Sequence, residues 1–575
     1  MATATTLTAL TSPLSSQISP TFFFLGVAFH QCIRTTEIDN QVWSLAGLYL
    51  GSWLTLCVVY SHGFALSWVT AAGWATFAAC VFNAGLTTSI IIYRAFFHRL
   101  RHFPGPWTLR LSRLFIVQRV LKRTQFHLNL ETMHHKYGDF VRTGPREISI
   151  NRPSAVYAVN GPHSPCTRGT WYSHVSADNT KVSLNSTRNP DDHRLRRRAW
   201  DRGFSVKALA TYELSVYRKV NVLISQLRSR LNQPVDATQW TMYYAFDTMG
   251  LIGFSKDFSQ LEDGTEHAAI KDLHDQMLVL GFLKPVPWIF TILGTIQGLV
   301  GHYGQFMTYS QSQMAEKKSK WIADEEKSPK DVISWLLKAS DENDQSAPPG
   351  DQALNEDGRL MLIAGSDTTA ATLAHALYYL VKNQAVLKRL QLELDNAFSD
   401  HSGADLSTET LRTLPYLEAI INETLRLKPP VPSGQPRMTP PEGLQIDEVW
   451  IPGETIVIVS QHVMHRDDRY FPSADEFIPE RWLDRKEKLI TDEEAFFPFQ
   501  LGRYGCVGKQ FALMQLRSVI ARIAIEFNLS FADGEDGVSF DRDSKDTFTM
   551  TVGPLNLVFS DRERCRSGEG VFLVR

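Results

Sequence analysis

Two long stretches of this chain carry no charged residue: Val42 to Tyr60 and Phe64 to Tyr93. At about 19 and about 30 residues, each is long enough to cross a bilayer, which takes about 20 apolar residues. Neither has the one-sided apolar stripe of a helix that lies on a core. Both stand ahead of a long polar remainder, so they predict an N-terminal membrane anchor. Thr21 to Ile33 is shorter, contains His30, and is a marginal first span. The residues before Thr21 lack the basic start of a cleaved signal, and several apolar runs follow. Arg94, Arg99 and Arg101, with His98 and His102, come directly after the last run. The positive-inside rule puts that side in the cytosol. Residues 1–102 are therefore expected to form an anchor with two or three transmembrane segments, and residues 103–575 one cytosolic body. Phe103-Pro104-Gly105-Pro106 is a stiff elbow between them, because proline fixes φ and cannot continue a helix.

The composition of the 575 residues, 43% hydrophobic and 21% charged, is that of an ordinary globular protein. A net charge of −2 gives no reason to expect a nucleic-acid partner. The six cysteines, Cys32, Cys57, Cys80, Cys166, Cys506 and Cys565, include no C-x-x-C pair. That argues against a disulfide framework or a zinc site. A single functional cysteine in a reducing compartment fits better.

In the body, Asp139 to Ile150 alternates like two strands around a Gly-Pro turn. Leu360 to Leu380, Asn383 to Phe398 and Glu409 to Arg426 read as helices. Asp341 to Gly350 reads as an exposed polar loop. Ile451 to Ile458 and Phe548 to Phe559 are strand-like. The fold class is mainly α with small β-sheets.

Phe499 to Gly508 (FQLGRYGCVG) is a glycine-punctuated loop with one cysteine at its tip, followed by a helical run from Lys509 to Glu526. Gly502, Gly505 and Gly508 let the backbone approach a flat macrocycle. The helix start near Cys506 favours thiolate over thiol. A thiolate held this way suits a single axial bond to haem iron, where it promotes O–O cleavage. The helix around Ala364-Gly365-Ser366-Asp367-Thr368-Thr369 carries a glycine and hydroxyl residues that can bond back to carbonyls and bend it. Asp367 and Thr368 could then relay protons beside a pocket, or the segment is a local helix defect or cap. Glu423 and Arg426 stand three apart on one helix face, where an ion pair can form. Arg481, in Phe477-Ile478-Pro479-Glu480-Arg481-Trp482, could join them as a second fork of donors. The basic run His193, Arg194, Arg196, Arg197 and Arg198 could meet haem propionates or an acidic electron-donor protein. Pocket walls are expected from Ser164 to Leu184, from Met277 to Thr295, and near Ala364 and Pro432 to Gln435. The Phe282 to Ile296 stretch could equally rest on a membrane surface.

In this order, from the proline elbow to the Cys506 loop, these motifs resemble those of a cytochrome P450, a haem-thiolate monooxygenase. The anchor and the Gly-Arg-Tyr-Gly-Cys-Val-Gly form most resemble fungal microsomal members, many of which act in secondary metabolism. The resemblance implies the cytochrome P450 fold behind N-terminal transmembrane helices, with haem b held by the thiolate of Cys506. It makes Phe499 the residue that shields the sulfur, Gly502 and Gly508 the loop glycines, and Asp367 and Thr368 the acid–alcohol pair of proton delivery. Glu423, Arg426 and Arg481 correspond to the family's structural network. His193 and Arg197 correspond to propionate-binding positions. The family usually has a basic residue two before the cysteine, where this chain has Tyr504. Arg503 and Arg437 are the candidates to share that task. The resemblance also implies electrons from NADPH through cytochrome P450 reductase, with cytochrome b5 a further donor, and a lipophilic small-molecule substrate at the endoplasmic reticulum membrane. A haem-thiolate isomerase or dehydratase is the rival within the fold, disfavoured by the intact Asp367–Thr368 pair. A non-catalytic membrane haem sensor is the rival outside it.

Overall fold

The computed structural model describes residues 13–562 except 39, 175–181, 294–300 and 399–406. Three N-terminal helices come first: α1 (Pro13–Ile33), α2 (Val42–Val58, extended by a π turn to Gly63) and α3 (Trp68–Ile92, extended to Phe97). Only Val42–Gly63 and Trp68–Phe97 are long and apolar enough to cross a membrane among the described residues. The marginal first run is nevertheless helical and packs along α3. His30 Nδ1 lies 2.8 Å from Ser89 Oγ, and the Arg34 guanidinium sits 5.5 Å from the Tyr93 ring centre. These contacts bring the C-terminal ends of α1 and α3 to the same level. The proline elbow leads from there into the body, where the Arg142 amide donates to Pro104 O at 2.7 Å.

The body is mostly helical. A five-stranded sheet joins β1 (Phe140–Gly144), β2 (Glu147–Ile150), β3 (Thr167–Arg168), β4 (Arg437–Met438) and β5 (Ile456–Val459) in the order β1-β2-β5-β4-β3. All its pairs are antiparallel except β2 with β5. In the β3–β4 pair Arg168 stands opposite Arg437. The main core gathers around α4 (Pro190–Gly203), α5 (Val206–Arg228), α6 (Ala237–Phe254), α7 (Gly350–Lys382), α8 (Pro415–Leu427) and α9 (Lys509–Glu526). Local signals start these helices. Asn189 caps α4 by accepting from the amides of Asp191 and Asp192, with Pro190 in the first turn. The second half of α7 is buried on every side, as a helix apolar all round must be.

Some expected boundaries move. The helix read from Leu360 begins at Gly350, because its first turns are polar yet buried: Asp357 is fully buried against Arg196 at 2.8 Å. The Glu409 to Arg426 run is two helices, Thr408–Leu411 and α8, divided at Pro415, which cannot continue a helix from the preceding turn. The run from Ile451 to Ile458 is divided by Pro452 and Gly453 into strands of different sheets. In the run from Phe548 to Phe559 the long strand starts only at Asn556. The loop before α7 is not simply exposed, since Ser346 is buried and Asp344 pairs with Arg202.

Glu423 on α8 is fully buried. It accepts from Arg426 Nε and Nη2 at 2.9 and 2.8 Å, Arg481 Nε at 3.2 Å, Trp482 Nε1 at 2.9 Å and the Ile478 amide at 3.0 Å. Both arginines spend their remaining donors on carbonyls, among them His465 O at 2.8 Å and Leu489 O at 2.6 Å. Removing one member of a buried charge network strands the others. Glu423→Ala is expected to lower unfolding free energy by about 3–5 kcal/mol, read as loss of folded protein or an earlier denaturant midpoint.

Candidate active site

The Phe499–Gly508 loop is held by its own backbone. The Cys506 amide donates to Phe499 O at 2.9 Å, and the Gly505 amide to Gly502 O at 3.0 Å. Arg197 Nη1 braces the tip by donating to Gly505 O at 2.8 Å. Gly502 has φ +60°, and a Cβ there would lie 2.4 Å from the backbone of Gly161. The glycine thus lets the loop pack closely on Gly161. α9 starts at Lys509, as its sequence predicts.

The loop forms part of the wall of a cavity of about 930 Å³. Cys506, Phe499, Gly508, His193, Arg197 and Thr368 all line it. Gly502, Arg503, Arg437 and Asp367 do not. Arg503 falls on the outside because the tight Gly502–Tyr504 turn directs neighbouring side chains apart, leaving Arg503 exposed. Gly365 opens space of its own: a Cβ there would meet Met249 Sδ at 2.4 Å, so the glycine admits the crossing of α6. The hydroxyls bond back as expected, Ser366 Oγ to Leu362 O and Thr368 Oγ1 to Ala364 O, both at 2.7 Å. α7 stays helical through them, and none serves as a cap.

The thiol of Cys506 opens onto the cavity yet lies deep inside the molecule. Burial pushes it up, opposed by the Gly508 amide and the charges of Arg197 and Lys509. A metal cation at the sulfur would instead hold it as thiolate. One end of the cavity is strongly basic. Tyr504 has the Arg168 guanidinium 4.4 Å and the Arg437 guanidinium 4.9 Å from its ring centre, with the His193 ring at 4.8 Å. Burial, then Arg168, Arg197, Arg196 and Arg503, drive His193 down to about 2, so it is neutral. His193 Nδ1, Arg168 Nε, Arg437 Nε and Tyr504 Oη are buried without a hydrogen-bond partner among the described residues. Among the described residues Glu356 is the one carboxylate of the lining, and it pairs with Arg359. A thiol, an excess of unanswered donors and, among the described residues, no free acid fit a haem with its propionates at the basic end.

Sequence reading did not single out Arg168, Thr369 or His274. Arg168 reaches the site through its pairing with Arg437, a nonlocal register that no local pattern announces. Thr369 lines the cavity, its hydroxyl without a hydrogen-bond partner among the described residues. Asp367 turns from the cavity towards His274, with Oδ1 3.5 Å from Nε2, while Glu266 Oε1 lies 2.7 Å from Nδ1.

A cytochrome P450 family model matches residues 104–559. The chain belongs to the cytochrome P450 family. It is 39% identical over 551 residues to a cytochrome P450 monooxygenase of Fusarium pseudograminearum, covering 94% of this chain and 97% of the relative. It is 34% identical over 480 residues to tryprostatin B 6-hydroxylase of Aspergillus fumigatus, covering 83% and 84%. The crystal structure of the cytochrome P450DA heme domain superposes with a TM-score of 0.65 at 18% identity, over 78% of this chain and 96% of that one. This P450 is thus a haem-thiolate monooxygenase acting on a small-molecule intermediate, and its apolar N-terminal helices fit membrane anchoring.

Two outcomes follow from this geometry. Arg168→Leu should speed haem transfer to apomyoglobin about tenfold, because the charge-assisted bond that Arg168 would make to a propionate would be missing. Burial would lower His274, but Asp367 and Glu266 outweigh it and raise its pKa from 6.5 to about 10. A raised pKa stabilises fully below 6.5 and ceases to do so as pH rises through about 10. The difference in melting temperature between this protein and His274→Gln should therefore be largest at pH 6.5 or a little below and shrink towards about pH 10.

Proposed function

We propose that this P450 hydroxylates or otherwise oxidises a lipophilic intermediate of secondary metabolism, with NADPH-derived electrons delivered by cytochrome P450 reductase and cytochrome b5 as a further donor. Residues 1–102 act as the anchor in the endoplasmic reticulum membrane, and residues 103–575 as the cytosolic catalytic domain. The observation that carries this reading is the meeting of Cys506, the basic end around Tyr504, and Thr368 on one cavity. The rest of the lining is largely apolar, with Met277, Leu280, Phe290, Leu293, Ile363 and Phe548, which suits a lipophilic ligand. A tryprostatin B 6-hydroxylase among the relatives supports hydroxylation as the reaction type.

In this reading the Cys506 thiolate would hold the iron of haem b. Arg168, His193 and Arg197 would hold the propionates, aided by Arg437 and Tyr504. When bound, a thiolate-ligated haem supplies oxygen activation with favoured O–O cleavage. Phe499 covers the sulfur side and keeps water from it. The Thr368 hydroxyl donates to Ala364 O at 2.7 Å, which leaves its lone pairs to accept from water or a proton donor in the cavity. Asp367 stands one residue away on the same helix, turned towards His274, and would resupply the cavity's proton donor through water.

The test is a carbon monoxide difference spectrum of dithionite-reduced microsomes, followed by turnover with reductase and NADPH. The expected result is the red-shifted Soret band of thiolate-ligated haem, lost in Cys506→Ala. Thr368→Ala is expected to keep the band but divert most reducing equivalents to hydrogen peroxide. Tightly coupled product formation by Thr368→Ala would remove the proton role, and a missing band in folded, haem-supplied protein would sink the reading.

A further inference from the structure

The cavity has a wall that does not come from the body. Asn40 and Trp43 line it together with Cys506 and Thr368. They belong to the short connection between α1 and α2 and to the first turn of α2. That connection is fastened to the body by Glu37, whose Oε1 and Oε2 accept from Arg188 Nη1 and Nη2 at 2.6 and 3.0 Å. This two-point fork fixes direction as well as distance. Arg188 is itself fixed, donating to Ser173 Oγ at 3.1 Å and to Arg168 O at 3.2 Å. Ser173 and Arg168 line the same cavity. The helix Trp288–Leu293 packs against α2 and contributes Phe290, Thr291 and Leu293 to the lining.

Trp43 has a second property. It is half-exposed, at 50%, and stands at the start of a span long enough to cross a bilayer. Tryptophan in that position seats at the headgroup level of a membrane. One side chain therefore touches both the membrane boundary and the cavity. We propose that the connection between α1 and α2 is the rim of the ligand cavity, latched by Glu37 on Arg188, and that it governs the passage of lipophilic ligands between the membrane surface and the site. This inference rests on the membrane and haem readings given above.

The test uses the full-length, haem-loaded protein in phosphatidylcholine nanodiscs. The probes are imidazole and 1-dodecylimidazole, followed by the shift of the Soret band in stopped flow. Trp43→Ala widens the rim and Glu37→Gln loosens its latch. Each should speed association and dissociation of 1-dodecylimidazole by roughly threefold or more, with imidazole changed less than about twofold. In parallel, Asn40→Cys is labelled with a charged maleimide, and the label is located by peptide mass spectrometry. 1-Dodecylimidazole should protect that cysteine, and imidazole should not. Unchanged 1-dodecylimidazole rates in both variants, or no protection, would overturn the rim. Failure of imidazole itself to shift the band would instead overturn the haem reading, and the labelling would still decide the rim.

Discussion

The carboxylate of Glu423 is the contact on which the proximal half of this enzyme depends. It is buried without solvent and answers two guanidinium groups, an indole N–H and a backbone amide. Such a group is intolerable unless all its partners are present. The network therefore fixes the relative positions of α8, the His465 segment and the Pro479–Trp482 turn. It reaches the thiol by a short path. Arg426 holds His465 O, and His465 Nε2 accepts from the Phe497 amide at 3.3 Å. Gln461 Nε2 donates to Phe497 O at 2.9 Å, and two residues later the Cys506 loop begins. The chain thus spends buried charge on structure so that one sulfur is held where backbone bonds can aim it.

The other end of the cavity shows the opposite electrostatic choice. There, Arg168 and Arg437 are gathered without an acid to answer them among the described residues, while Arg197 beside them keeps Asp201 at 2.7 Å. Like charges buried together are unfavourable, and unpaired buried donors add to the cost. The arrangement makes sense only with an anionic ligand present. Tyr504 shows how the chain manages the strain meanwhile. Its ring offers π-faces to the guanidinium groups of Arg168 and Arg437, an attraction that helps offset their mutual repulsion. A basic side chain at this position would have added to the crowding. Tyrosine there goes with the extra arginine contributed by β3.

Much of this was legible in the sequence because it is local. The Cys506 loop and α9 lie within one short segment, and the helix run matched its structural bounds, Lys509–Glu526. Glu423 and Arg426 share one helix face at a spacing that predicts their bond. The apolar spans followed from charge alone. What stayed hidden depends on contacts between distant parts of the chain. Arg168 acquires its place only from strand pairing with Arg437. The early start of α7 depends on Asp357 meeting Arg196 across the core. The role of Gly502 depends on Gly161 lying beneath it. Local pattern reading also failed where prolines or glycines interrupt an otherwise continuous apolar run, as at Pro415 and Pro452.

Asp367 and Thr368 stand on two faces of α7. Successive helical residues are about 100° apart, so Thr368 can face the cavity while Asp367 faces His274. If both faced the cavity, the acid would sit as an uncompensated negative charge in a largely apolar space. With Asp367 turned away, its charge is answered by a His274 whose pKa is raised to about 10, itself backed by Glu266 at the half-buried margin. Asp367, His274 and Glu266 thus lie in line from α7 to that margin. The charged side of α7 is thereby kept off the apolar wall of the cavity, and Thr368 presents to it a hydroxyl already engaged with Ala364 O.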